Sequence, residues 1–426
     1  MRWFDGFAAL VLAGLTAYLV AQPPLRGLEG TAYDVLLRAR HEIYGQQLSP
    51  QPSPVVVVAL DQETGLRPPF DRLPQELWTP QIAEVMQQTL DAGALVIGQQ
   101  QAFAGSADGI VDGYDRDYLA LLARAGEDGR IVLGRRAPAA DRLDPAPEHV
   151  EAAGGGRNLR RIGLRPDADG VLRHVTLFEN SSDDTGLVSL NPTLAMELVA
   201  RVLGERPQLL NGSALKFGRY AVPGSDENAM LINFQGGNGG IPVFSLGDLY
   251  ACAQDGGEAF FRKHFDDKVV LFGRTDTPGS RSVAAARFLN QHNADRYGER
   301  CRLPVMQSLV NLDSAHTTPE VVVTATAVSN LLLRDAVKTL PDYAAILTSG
   351  LLALATALAV LRIAPVLVMP GVLLLLAGWG YLAIVMLARE TWLMPVAQPA
   401  LAIVLAYAGA LIYRALRRLG PQRPPA

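Results

Sequence analysis

Four stretches of this chain are apolar throughout. Between the first and the second lies a long region where apolar residues recur with the rhythms of strands and helices. A membrane-crossing helix needs about 20 mostly apolar residues, because each adds about 1.5 Å against a hydrocarbon core of about 30 Å. Residues 6–22 (GFAALVLAGLTAYLVAQ) satisfy this narrowly, and residues 342–361, 365–388 and 392–413 satisfy it in close succession, separated only by RIA and RET. Such short connectors force antiparallel neighbours, so the last three should form a tight bundle. Pro370, Pro395 and Pro399 fall inside these spans, where neighbouring helices can satisfy the carbonyls that proline frees. Gly371, Gly378 and Gly380 would permit close helix approach. The first stretch reads as a retained anchor, since MRWFD is a weakly basic start and LVAQPP a poor A-x-A cleavage site.

The intervening pattern is that of an α/β domain. PVVVVAL (54–60) is a continuous β-branched run, as in a strand buried on both faces. LWTPQIAEVMQQTLDAGA (77–94) places Ile82, Val85, Met86 and Leu90 at helical spacing, with Gly93 as its stop. ALVIG (94–98) then completes a βαβ unit. A helix over 114–126, a strand over 130–135 and an alternating strand within 167–179 follow. A helix over 191–204 would have Asn191 as N-cap and Pro192 at its first position. MLINFQG (230–236) and KVVLFGR (268–274) read as strands, Gly273 being ready for a sharp turn. Residues 317–341 read as a helix leading into the second span, although their β-branched start is also compatible with a strand. The expected fold class is α/β, with a mainly parallel or mixed sheet, flanking helices and four transmembrane helices, one N-terminal and three C-terminal. The expected domains are an anchor (1–23), an outer domain (24–341), a three-helix bundle (342–413) and a basic tail (414–426).

Charge sets the orientation. The tail carries Arg414, Arg417, Arg418 and Arg423 with no acid, which places it in the cytoplasm by the positive-inside rule. Four spans return the N-terminus to the same side and leave the domain outside, periplasmic in a bacterium with two membranes. Arg26 mildly opposes this arrangement. At 426 residues, 49% hydrophobic, 19% charged and with a net charge of −4, the chain is too apolar for an ordinary soluble protein. Its acidity also argues against a nucleic-acid partner. Cys252 and Cys301 could bridge outside the cytoplasm or stay as two buried thiols; spacing alone leaves both open.

No GxxxxGK[ST], HExxH, GxSxG or CxxC occurs, and the six histidines lack metal-ligand spacing, so no catalytic set, metal or cofactor is expected. GGNGG (236–240) follows a strand but opens no helix, and reads as a loop rather than a phosphate cradle. Asp266 and Asp267 read as a solvated turn. The basic run RNLRRIGLR (157–165) could contact an anion or a lipid headgroup but reads more simply as solvated surface.

AYDVLLRAR (32–40), VVVVALD (55–61), AGALVIGQQQAF (92–103), DADGVLRHVTLF, INFQGG, IPVFSLGDLYA (241–251), FDDKVVLFGRT (265–275) and TPEVVVTATAVSNLLLRD (318–335) occur in an order that resembles the CHASE2 family of bacterial extracytoplasmic sensor modules. The three spans that follow also resemble that family's layout. The resemblance implies an input module for a cyclase or kinase, without implying a ligand. Departures from it are visible. Gln62 follows Asp61 where a second acid is common, and Gln99, Gln100 and Gln101 stand where an acid is expected. Lost carboxylates remove charge-assisted hydrogen bonds.

The functional expectation is a non-catalytic sensor subunit or scaffold of an envelope complex, working by contact with a separate protein in the inner membrane. The alternative is the sensory half of a receptor cyclase or kinase. Homo-oligomerisation is left open. Asp61, Gln62, Gln100, Trp78 and Phe103 are the candidate ligand or partner contacts, and Cys252 with Cys301 the candidate disulfide. With no slack before Pro341, movement of the sheet is expected to reach the bundle.

Overall fold

The structure, a computed structural model, describes residues 2–45, 52–101, 103, 105–109, 111–136, 144–182, 188–210, 214–224, 228–235, 240–289, 299–304 and 317–419. Residues 236–239 of GGNGG, His292, His316 and the tail from 420 onward lie outside them. Two compact units divide the chain: residues 1–45 with 337–426, and residues 46–336. The longer helices, in chain order, are α1 (Arg2–Val20), α2 (Pro23–Tyr44), α3 (Thr79–Asp91), α4 (Arg116–Glu127), α5 (Leu194–Leu203), α6 (Leu246–Gln254), α7 (Glu258–Phe265), α8 (Glu320–Leu333), α9 (Asp342–Arg362), α10 (Pro365–Glu390) and α11 (Ala397–Leu419).

The module of residues 46–336 is built on a six-stranded sheet of β1 (Val55–Leu60), β2 (Val96–Gln99), β3 (Ile131–Arg135), β4 (Leu159–Arg161), β5 (Val243–Ser245) and β6 (Val269–Arg274). The spatial order is β5-β1-β6-β2-β3-β4, and every pairing is parallel. All six residues of β1 are buried, as a strand covered on both faces must be. Val56, Val58 and Leu60 point into one core with Ile97, Leu133 and Phe272, covered by α3, α4, α6 and α7. The opposite face carries α5 against β2 and β3, and α8 against β1 and β6. Cys252 of α6 is joined to Cys301 by a disulfide, with Cα atoms 5.8 Å apart.

Several elements differ from their sequence reading. Gly273 makes no turn: it lies inside β6, where a Cβ would stand 2.7 Å from Val321 Cβ, so its absence lets α8 close on the sheet. Asn191 and Pro192 do not start α5. They end an antiparallel strand paired with Glu179 and Phe178, and Thr193 takes the N-cap position. The strand expected over 230–236 is confined to Ala229–Leu231, paired with His174–Thr176. The helix expected over 317–341 ends at Leu333, where Arg334 turns left-handed with φ 59°. Pro395 lies before α11 and not inside a span, whereas Pro370 is inside α10.

In the other unit, α1, α9, α10 and α11 are, among the described residues, the four helices long and apolar enough to cross a membrane. Ala9, Ala353, Ala357, Ala402, Ala406 and Ala410 are buried between them, while Phe7, Leu347, Val366 and Leu374 face outward. Small residues inside and large apolar residues outside is the packing of helices surrounded by lipid. The stretch 24–45, assigned from sequence to the outer domain, packs here as α2 on α10 and α11, and Glu29 accepts the N–H groups of Val396 (3.1 Å) and Gln398 (2.7 Å) at the start of α11. Arg417 pairs with Asp5, and Arg414 reaches the carbonyls of the α9–α10 turn. The start of α1, the end of α11 and that turn therefore share one end of the bundle. Lys338–Thr339 pairs with Trp392–Leu393 at the α10–α11 turn.

Candidate ligand site at the carboxyl edge of the sheet

Side chains that follow the last residues of parallel strands gather along one edge, and ligands of open α/β sheets bind there where successive connections leave for opposite faces. Two polar clusters occupy this edge. Both form from residues that the strands deliver, but they differ in how completely their charges are satisfied.

The first surrounds β1 and β5. Asp61 caps the helical turn Gln62–Gly65: its Oδ1 accepts the Thr64 N–H (2.8 Å), the Thr64 hydroxyl (2.6 Å) and the hydroxyl of Ser245, the last residue of β5 (3.0 Å). Its Oδ2 is buried with no hydrogen-bond partner among the described residues. Burial pushes this carboxyl's pKa up, the Thr64 and Ser245 hydrogen bonds oppose that, and the charge of Glu63 adds to it. Glu63 is itself buried and accepts both Arg67 (2.7 Å) and Arg300 (2.7 Å). Asp248 accepts the backbone N–H groups of Cys301, Arg302 and Leu303 at 2.8, 2.9 and 2.6 Å. Glu63 and Asp248 fasten residues 299–304 over the edge, and the disulfide holds the same segment to α6. Their charges are spent internally.

The sequence-selected residues divide around this cluster. Gln62 is exposed on the capped turn. Trp78 and Phe103 are buried in the same apolar core; the Trp78 ring meets Phe70 edge-on at 5.0 Å and its Nε1 donates to the Leu73 carbonyl. Gln100 follows β2, its N–H bound to the Phe272 carbonyl (2.8 Å), and its Oε1 is buried without a partner among the described residues. Asp61 and Gln100 are thus delivered by strands that β6 separates. Gln99 accepts the buried Tyr118 hydroxyl (2.6 Å) and donates its Nε2 to the Gln101 carbonyl (3.0 Å), a pair of roles that an amide fills and a carboxylate does not.

The second cluster lies at β3 and β4. The chain leaves β3 towards the short helix Pro147–Ala152, packed on α4, and leaves β4 towards α5 on the other face. The crevice so created is a cavity of about 460 Å³. Arg135 and Arg136 enter it from the end of β3, and Arg161 and Arg165 from the end of β4. Glu179 stands 3.1 Å from Arg161 and 3.7 Å from Arg135. Glu320, the first residue of α8, pairs with Arg136 at 2.7 Å and accepts the Ser282 hydroxyl at 2.8 Å. Ile162, Leu164 and Phe178 supply an apolar wall. Sequence alone offered an anion contact for RNLRRIGLR only as the lesser alternative and did not foresee the cavity. RNLRRIGLR is not simply solvated surface: Arg160 pairs with Glu197 at 3.1 Å and Arg161 lines the cavity. Arginines clustered directly after two strand patterns were the available signal. Among the described residues no group of His, Cys, Asp and Glu could hold a metal ion.

A parallel α/β module joined to a bundle of membrane-length helices defines a membrane protein with one large folded domain. More specifically, the family model of the CHASE2 domain matches residues 8–364, so the chain belongs to the CHASE2 family, whose domains are extracellular sensory modules. No curated protein and no solved structure matches the chain.

Proposed function

We propose that this protein is a non-catalytic sensor subunit of an envelope complex, with residues 46–336 outside the cytoplasmic membrane, both termini inside, and its output delivered by contact with a separate membrane protein. The observation that carries the reading is the course of α8. The helix begins at Glu320, in the cavity on the carboxyl edge, and ends at Leu333, just before the chain passes to the membrane unit at 336–337. Its far end is pinned: Asn330 accepts the Asn233 N–H (2.8 Å) and donates to Asp335 (3.0 Å). A change in what Glu320 contacts is therefore felt by an element that leads to the bundle. Mild extraction of native membranes should recover a stoichiometric membrane partner. A flexible Gly/Ser insertion before Pro341 should abolish the partner's response without releasing it. Recovery of no partner, or an unchanged response after the insertion, overturns the reading.

A further inference from the structure

From the charges and walls of the cavity at β3 and β4, we infer that it is a binding site for a small organic dianion with separated charges, of the α,ω-dicarboxylate class. Four arginines (135, 136, 161 and 165) face two glutamates (179 and 320), which leaves an excess of two positive charges for a dianion to cancel. The guanidinium groups are incompletely satisfied. Arg161 Nε is buried with no hydrogen-bond partner, the Arg135–Glu179 pair is stretched to 3.7 Å, and Arg165 is exposed with no ion pair among the described residues. Such donors in a walled crevice are matched by planar carboxylates, which arginine binds through paired N–H groups. The arginines arrive from two strand ends and stand beside Ile162, Leu164 and Phe178, so the geometry favours two anionic groups joined by a short apolar body over one compact anion. The protein's own carboxylates already display the mode: Glu179 holds two of these arginines and Glu320 a third. A volume of about 460 Å³ suits a small metabolite.

This inference deepens the sensory reading and rests on it for biological meaning, but binding is measured without reference to any partner. The full chain in detergent micelles is titrated calorimetrically with malonate, succinate, glutarate and adipate, with butyrate and inorganic phosphate as comparisons. One or more of the dicarboxylates should bind saturably at least about tenfold more tightly than butyrate and phosphate, as expected when one charged hydrogen-bonded pair is lost. Arg165→Ala, which removes an exposed and unpaired side chain, should weaken binding about tenfold. Glu179→Gln, which frees Arg135 and Arg161, should strengthen it, an outcome that loss of structure would not produce. Absence of saturable binding across the series in folded protein overturns the inference. So does tighter binding of phosphate, or affinity indifferent to both substitutions. Loss of partner response with intact dicarboxylate binding would overturn the sensory reading alone.

Discussion

Asp61 closes β1 with a carboxyl group whose one oxygen takes three hydrogen bonds and whose other oxygen is buried without any. Burial, supplemented by Glu63, raises its pKa in the folded protein. As pH rises past the unfolded value of about 4, the unfolded chain gives up this proton first, so folding binds more protons. The contribution to stability is complete below that pH and is lost as pH climbs through the raised folded value. Asp61→Asn keeps the accepting oxygen and the cap but carries no charge. Its urea midpoint relative to the parent should therefore improve from pH 4.5 to pH 7; Asp61→Ala, equally uncharged, should follow the same trend but stay about 1–2 kcal/mol below Asn at both for want of the cap. A difference between Asn and Asp that does not move with pH would contradict the raised value. Sequence alone marked Asp61 as an acid at a strand end but did not tell a cap from a ligand contact: Thr64 lies only three residues on, but Ser245, which donates to the same oxygen, is brought beside it only by the pairing of β5 with β1.

Strands and helices were legible where burial repeats locally. The β-branched run of β1 and the helical spacing in α3 each carry their period within a few residues. Where a distant partner decides, the local signal failed. Asn191 and Pro192 look like a helix start but are held in a strand by Phe178 and Glu179. The β-branched opening of α8 is helical because that face packs on β1 and β6. Two strand glycines test this packing. Alanine at 273 would place Cβ 2.7 Å from Val321 Cβ, an atom fixed to the helix backbone. Alanine at 98 would meet the side-chain tips of Leu271 and Leu198 at 2.7 and 2.8 Å, which can rotate away. Gly273→Ala should cost about 2 kcal/mol and Gly98→Ala clearly less, by urea unfolding of the two variants. Equal costs would show that α8 is not seated as described.

At the scale of the whole molecule, a covalent link and a threading order carry the argument. The disulfide closes a loop with a sequence separation of 49, worth about 4 kcal/mol if it acts by restricting the unfolded chain. Reduction, or the paired substitution Cys252→Ser with Cys301→Ser, should lower the module's unfolding midpoint. An unchanged midpoint would remove the bridge from the account. The Asp5–Arg417 pair puts the start of α1 and the end of α11 at one end of the bundle. In the topology we propose, the basic residues of α11 hold that end in the cytoplasm. Membrane-impermeant labelling of single cysteines in a Cys-free chain should reach residue 128, in the module, but neither residue 5 nor residue 417 in intact cells. Labelling at either terminal position would reverse the orientation.

The spans, the βαβ rhythm and the membership suggested by ordered motifs were in the sequence itself, because hydrophobic period and segment length act over neighbouring residues. The all-parallel strand order, the disulfide partner and the arginine cavity were decided only by tertiary structure. Arg136, Arg161, Glu179 and Glu320 are far apart along the chain, and only the register of β3 beside β4 and the seating of α8 on the sheet bring their charges within reach of one another.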